Sequence, residues 1–327
     1  MILIFSQMHE QSTDDVMRWL FKADKQVVRI NAQDEVKLLS LDLQSGDIWL
    51  QVLDQDFNLA EVEMVWHRRG GLPAKLSEAM QLDDPFIEAN PDLDPQLQAL
   101  NARETRTLTA YLYHKLFSEK KSLGDKRKAG VNKLIVLEAA RNVGLKIPET
   151  HIISTKAQLI DLMEKEDWIT KAIWEGAYFF TEKRAYYTYT EKIDQQWLDN
   201  LPDTFQPSLL QAQVKKKYEL RIFYLHGVCY SMVIFSQNDA QTTVDFRKYN
   251  QARPNRNVPY QLPVHIEEKI MRLMHQIGLN TGSIDIIVDQ DDEYYFLEVN
   301  PVGQFGMTSE PCNYYLEKKV MQCLISN

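Results

Sequence analysis

A chain of 327 residues exceeds one ordinary hydrophobic core, since domains commonly hold about 100–150 residues, so two or three subdomains are expected. The composition, 44% hydrophobic and 25% charged, is that of a soluble globular chain, and no apolar run approaches the roughly 20 residues that span a bilayer. With 46 acidic against 37 basic side chains the net charge is −9, which opposes broad nucleic-acid binding and leaves only local basic stretches, such as residues 120–133, for a phosphate or an acidic partner.

The opening MILIFSQMHE carries no basic leader and no small-residue cleavage site, so it is expected to form a first strand of a cytoplasmic protein. Residues 1–70 alternate β-rich runs (MILIFS, QVVRI, DIWLQV, VEMVWH) with one helical stretch, STDDVMRWLFKA, which is expected to open on Ser12 as its N-cap. Proline punctuates a loop at 82–95, and residues 96–118 run at helical period as a long connecting helix. In 132–150 the pattern predicts an Asn N-cap, a helix, Gly144 at its end and a strand turned by Pro148. Strands are predicted at 167–173, 184–190, 209–214, 218–225 and 229–236, the last two joined at His226–Gly227. A loop at 245–260, a helix over 265–278, a hairpin and a C-terminal helix over 313–325 complete the chain. Cys229, Cys312 and Cys323 are odd in number and lack C-x-x-C spacing, which argues for reduced thiols and against a zinc site.

The hairpin GSIDIIVDQDDEYYFLEVNP (282–301) carries the chemistry. Pairing outward from QDDE sets residue 285 opposite 297 or 298, so Asp285 is expected beside Glu298. Alternation puts Glu298 and Asn300 on one face and sends Leu297 and Val299 to a core. Two carboxylates and an amide oxygen suit Mg²⁺, a hard cation that leaves further positions to water and phosphates. The bland alternative is a solvated hairpin face. No G-x-x-x-x-G-K-[ST] motif occurs, so a P-loop is unsupported.

The pattern Asp285…Glu298-x-Asn300-Pro301, preceded by ELR (219–221) and by the lysine of ITKAI (Lys171), resembles the ATP-grasp ligases over residues 123–327. MILIFS, WHRRG, DFRKYN, NTGSIDII and FLEVNPVGQFGM look like the ATP-grasp peptide maturases, the graspetide or microviridin-type macrocyclases of the grasp-with-spasm group, and extend the resemblance over nearly the whole chain. The resemblance implies an α/β ATP-grasp fold: an N-terminal open α/β domain at 1–122, a central subdomain at 123–208, and a C-terminal subdomain at 209–327 that carries the metal site, with nucleotide held between the last two. ATP and Mg²⁺ are the implied cofactors.

By the same resemblance Lys133 and Lys171 contact nucleotide, with Gly176 in a phosphate-covering loop. Gln211, Ala212, Gln213 and Val214 read the adenine edge, and Glu219 reaches the ribose. Arg221 and Arg247 are the catalytic candidates, as positive charge on the transferring phosphoryl group. The bland reading of Glu219 and Arg221 is a mutual surface ion pair. The implied activity joins Asp or Glu carboxylates of a ribosomal precursor peptide, activated as acyl phosphates, to Ser/Thr hydroxyls or Lys amines, with a leader segment docked on the enzyme. A ligase for free amino acids or a protein tail is the alternative, and a nucleotide-binding sensor without turnover is another. Neither nucleic acid nor membrane is an expected partner, and a homo-oligomer such as a homodimer stays open.

Overall fold

The computed structural model describes residues 1–73, 76, 90–174, 176, 178–181, 184–188, 190–235 and 256–326. The chain divides into two compact units, Met1–Ala129 with Tyr315–Asn327, and Gly130–Tyr314.

The first unit runs β1 (Ile2–Ser6), α1 (Gln11–Lys22), β2 (Val27–Asn31), β3 (Val36–Leu41), β4 (Ile48–Val52), β5 (Gln55–Asn58), β6 (Met64–His67), α2 (Asp94–Ser118) and β7 (Lys121–Leu123). Strands β2-β1-β6-β7 form a parallel sheet. All five residues of β1 are buried, as a parallel strand covered on both faces requires. Leu3, Phe5, Ile30 and Val65 pack with Leu112 and Leu116 of α2. Strands β3, β4 and β5 make a separate antiparallel meander. The last helix, α8 (Leu316–Ser326), belongs to this unit, and its Lys318 ammonium lies 5.4 Å from the centre of the Trp19 ring on α1. The expected cap of α1 is corrected: Glu10, not Ser12, accepts the Thr13 N–H, and Ser12 Oγ donates to the Glu10 carboxylate. A longer acidic side chain one residue outside the helix reaches the free N–H groups that Ser12 cannot meet from inside it.

The second unit runs α3 (Lys133–Asn142), β8 (Thr150–Thr155), α4 (Lys156–Met163), β9 (Trp168–Lys171), β10 (Tyr178–Phe180), β11 (Ala185–Tyr187), β12 (Glu191–Lys192), α5 (Gln195–Asp199) and β13 (Thr204–Ala212). It continues through β14 (Lys216–Leu225), β15 (Val228–Phe235), β16 (Arg256–Tyr260), α6 (Val264–Gln276), β17 (Thr281–Asp289), β18 (Tyr294–Asn300) and a single turn, α7 (Gly306–Ser309). One sheet has the order β12-β9-β13-β8, with α4 and α5 packing Leu159, Leu162 and Leu198 around Trp168. The larger antiparallel sheet has the order β16-β15-β14-β17-β18, and β10 and β11 pair alone. Helices α3 and α6 cover one face of the five-stranded sheet, burying Val136, Ala140, Ile270 and Leu273 against Leu220, Ile222, Ile284 and Phe296.

The predicted junction of β14 and β15 at His226–Gly227 is present, with φ of 44° and 89°, the paired left-handed backbone of a two-residue hairpin turn. Within the predicted strand at 184–190, Ala185–Tyr187 pairs with Tyr178–Phe180 among the described residues. Likewise β9 stops at Lys171 instead of reaching residue 173. Among the described residues no helix is long and apolar enough to cross a membrane. The three cysteines are free thiols, and burial pushes Cys229 up to about 12 and Cys323 to about 11.

Candidate active site

On β14, Leu220 and Ile222 are committed to the helix-covered core, so strand alternation turns Glu219, Arg221 and Phe223 to the opposite face. Arg221 is the register partner of Asp285 on β17, and Asp285 is the partner of Glu298 on β18. The three side chains therefore form one row across three adjacent strands. Ser283 and Asn300 pair in the next row on the same face.

A β-bulge makes that row. Val288 pairs with Tyr294 and Ile286 with Phe296, so a regular ladder would set Asp285 opposite Leu297 and turn Glu298 toward the core. Instead the register shifts between Asp285 and Ile286, leaving Leu297 as the extra residue and Glu298 opposite Asp285. The expectation that Leu297 fills the core is corrected: Phe296 and Val299 are buried, and Leu297 is only half-buried.

Each carboxylate of the row has a cation. Arg221 Nη1 donates to both Asp285 oxygens at 2.5 Å, with both side chains mostly buried. Lys133 Nζ lies 3.2 Å from Glu298 Oε2. Lys133 is the first residue of α3, whose N-cap Asn132 accepts the Leu134 and Ile135 N–H groups, so the cap fixes where this lysine starts. Asn300 is exposed, and its Oδ1 accepts the Val302 N–H at 3.0 Å, which pins the turn that follows β18. Ser283 Oγ donates to the Gln304 carbonyl at 2.8 Å and ties the same turn to the sheet.

The surface ion pair between Glu219 and Arg221 does not form. Arg221 is 8% exposed and bound to Asp285, while Glu219 is bound by the buried Lys216. Lys216 was hidden in the run VKKKYELR, where three adjacent lysines read alike; a register irregularity between Lys216 and Tyr218 brings it to Glu219. The Arg221 Nε is buried with no hydrogen-bond partner among the described residues. A buried donor left unpaired is costly, and its group is available to an anion.

The adenine candidates lie where β13 ends. Gln211 is 1% exposed; its Nε2 donates to Thr150 Oγ1 at 3.0 Å and its Oε1 is buried without a partner among the described residues. Ala212 N–H donates to the Glu149 carbonyl and Gln213 N–H to the Asp167 carbonyl. These two N–H groups are thus committed, and Val214 follows in irregular backbone. Lys171 ends β9 half-buried, opposite Leu209, instead of lying inside an apolar strand. Gly176 lies between β9 and β10, and a Cβ there would approach the Thr188 carbonyl oxygen to 3.1 Å. Arg247 and the DFRKYN segment lie outside the described residues. Arg68 of WHRRG does not face open space: it is 2% exposed and its Nη2 donates to Glu10 at 2.8 Å.

No family model and no curated protein matches the sequence. Solved structures do match it along its whole length. The macrocyclase MdnC of Microcystis aeruginosa, bound with its precursor peptide MdnA, is 26% identical with a TM-score of 0.77, covering 100% of this chain and 99% of that one. A RiPP-associated ATP-grasp ligase of Chryseobacterium gregarium, in complex with ADP and a leader and core peptide, is 24% identical with a TM-score of 0.78, covering 99% and 96%. The ATP-grasp ligase PsnB, complexed with a phosphomimetic variant of a minimal precursor, Mg and ADP, is 17% identical with a TM-score of 0.72, covering 99% and 97%. The chain has the ATP-grasp fold.

In this fold the hard-oxygen donors suit a divalent cation: two carboxylates adjoin across a bulged ladder, and an amide oxygen lies in the neighbouring row. Both carboxylates already attract a cationic side chain from another element, the electrostatics a metal would meet.

Proposed function

We propose that this chain is an ATP-dependent peptide macrocyclase. The reading is carried by the Arg221–Asp285–Glu298 row, set in a fold whose full-length likenesses include a macrocyclase bound with its precursor peptide. Asp285, Glu298 and Asn300 would hold Mg²⁺, which would supply charge neutralisation for the phosphates of ATP. Lys133 and Lys171 bind phosphate, Gly176 belongs to the loop over it, and Gln211 to Val214 together with Glu219 hold adenosine. The nucleotide lies between segments 123–208 and 209–327, and segment 1–122 serves the peptide.

Arg221, with Arg247 as the second cation, stabilises the γ-phosphoryl group as a peptide Asp or Glu carboxylate oxygen attacks it. The products of that step are ADP and an acyl phosphate. A Ser/Thr hydroxyl or Lys amine of the same peptide then attacks the acyl carbon; phosphate leaves and the nucleophile's proton is lost. Each ring closed removes one water, about 18 Da, and converts one ATP to ADP and phosphate, as this condensation requires.

Incubating the enzyme with ATP, Mg²⁺ and a precursor encoded beside it, then recording mass spectra, tests the reading. Successive water losses matched by ADP are expected. ADP release driven by a free amino acid, with no water loss from the precursor, would make it an amino-acid ligase; nucleotide binding with no turnover on any substrate would make it a sensor.

A further inference from the structure

A second cationic site lies in the first unit, at the carboxyl ends of β1 and β6. In an open parallel sheet, ligands bind beyond the carboxyl ends of the strands where the chain order reverses, and the order β2-β1-β6-β7 reverses between β1 and β6. Here the chain leaves β6 as His67-Arg68-Arg69-Gly70-Gly71. The Arg68 and Arg69 N–H groups both donate to the Phe5 carbonyl at 3.0 Å, clamping this turn to the end of β1. Gly70 has φ +66°, and a Cβ there would collide with the Ser6 carbonyl oxygen, so backbone alone fits. Beside it, a Cβ on Gly71 would come within 3.1 Å of Lys126 Cε.

The acids near this turn are already engaged. Glu10 receives Arg68, the Ser12 and Thr13 hydroxyls and the Thr13 N–H. Asp125 receives the Arg127 guanidinium and the Arg127 N–H. Arg69 and Lys126 have neither an ion pair nor a side-chain hydrogen bond among the described residues, and the Arg69 Nε is buried without an acceptor. Such concentrated positive charge is out of character for a chain of net charge −9. It registers on its neighbours: after burial, Lys126 is the largest cause holding His67 down to about 4, and Arg69 also lowers Arg68.

We infer that Arg69 and Lys126, flanking the Gly70–Gly71 turn, receive a carboxylate of the substrate peptide and so select acidic sequences. This rests on the peptide-ligase reading. A guanidinium with an unpaired Nε can fork onto a carboxylate, and the adjacent ammonium adds charge without geometric demand. Phosphate shares this chemistry, and the experiment separates the two.

The test measures binding of the fluorescently labelled precursor by anisotropy, with ADP and Mg²⁺ present, beside a version whose Asp and Glu are all replaced by Asn and Gln. Wild type, Arg69→Ala, Arg69→Lys and Lys126→Ala are compared, with thermal melting and the KM for ATP as controls. Arg69→Ala is expected to weaken binding of the acidic precursor at least tenfold and the amide version less than twofold. Arg69→Lys should recover part of that loss, and the ATP KM should stay unchanged. Equal losses for both peptides, or no loss for either, would overturn the inference. Displacement of the precursor by millimolar inorganic phosphate but not by glutarate would reassign the site to phosphate. A wild-type enzyme that binds the precursor but never closes a ring would overturn the macrocyclase reading while leaving the carboxylate site supported.

Discussion

Arg221 and Asp285 face each other across β14 and β17, guanidinium to carboxylate at 2.5 Å, and both are largely removed from solvent. Glu298, next in the row, has instead a partly exposed lysine 3.2 Å away. Two acids assigned the same chemical task therefore sit in different electrostatic settings.

That difference predicts unequal stability with equal loss of activity. Asp285→Asn and Glu298→Gln should each reduce ADP release by at least a hundredfold, because each removes a ligand charge without changing side-chain shape. Asp285→Asn also leaves Arg221 buried beside a neutral group, and removing one partner of a buried pair costs about 3–5 kcal/mol. Glu298→Gln breaks a partly exposed pair worth about 0–1 kcal/mol. Denaturant melts of the two variants should differ accordingly; near-normal turnover in either would sink the metal assignment.

Arg221→Lys separates charge from geometry. The charge survives, but an ammonium lacks the planar fork in which Nη1 holds both Asp285 oxygens while a separate nitrogen, Nε, is left to meet phosphate. The kcat for ADP formation should fall at least tenfold with the fold intact. Kinetics close to wild type would leave Arg221 a structural partner of Asp285 alone.

Lys216 and Glu219 are expected to behave as one unit. Lys216→Met removes the buried ammonium beside a mostly buried carboxylate and should lower stability by about 3–5 kcal/mol, whereas the double variant Lys216→Met/Glu219→Leu should regain most of it. Additive losses in the double-mutant cycle would show that the two side chains are not coupled.

His67 predicts a pH dependence. It is 4% exposed and burial holds it down to about 4, so the folded state stays neutral where the unfolded chain, near 6.5, takes up a proton. Unfolded protein then binds more protons between those values, and stability falls as pH drops from about 6.5 to about 4, by about 3 kcal/mol in total. His67→Gln should flatten the melting temperature over that window; parallel profiles for variant and wild type would refute the cause.

Much of this was legible in the sequence, because alternation and turn chemistry are local. The hairpin turn at 290–293, the Asn132 cap before Lys133 and the His226–Gly227 turn all follow from adjacent residues. What escaped depends on partners distant in sequence. No local pattern announces that Leu297 is looped out, since the bulge is decided by which apolar residues of β17 and β18 meet over α6. Lys216 is one of three lysines until the register of β14 distinguishes it, and Glu10 is an unremarked acid until Arg68, 58 residues later, closes on it. Strand β3 pairs across a register irregularity with only Val36 fully buried, so it lacks the regular half-buried alternation that would signal it.

The extra residue at Leu297 also constrains how this hairpin tolerates change in length. Residues 290–293 lie on the turn side of the bulge, whereas Asp285, Glu298 and Asn300 lie on its far side. Insertions at the tip can therefore be absorbed without moving the acids. Straightening the bulge with Leu297 kept is a different event: the regular register sets Leu297 opposite Asp285 and sends Glu298 into the apolar layer beneath α6, whereas deleting Leu297 itself leaves Glu298 opposite Asp285. Lineages of this sequence should drift in turn length and either keep the bulge or lose the one residue it loops out, and a graft of β18 onto another scaffold must carry the irregularity wherever it carries Leu297.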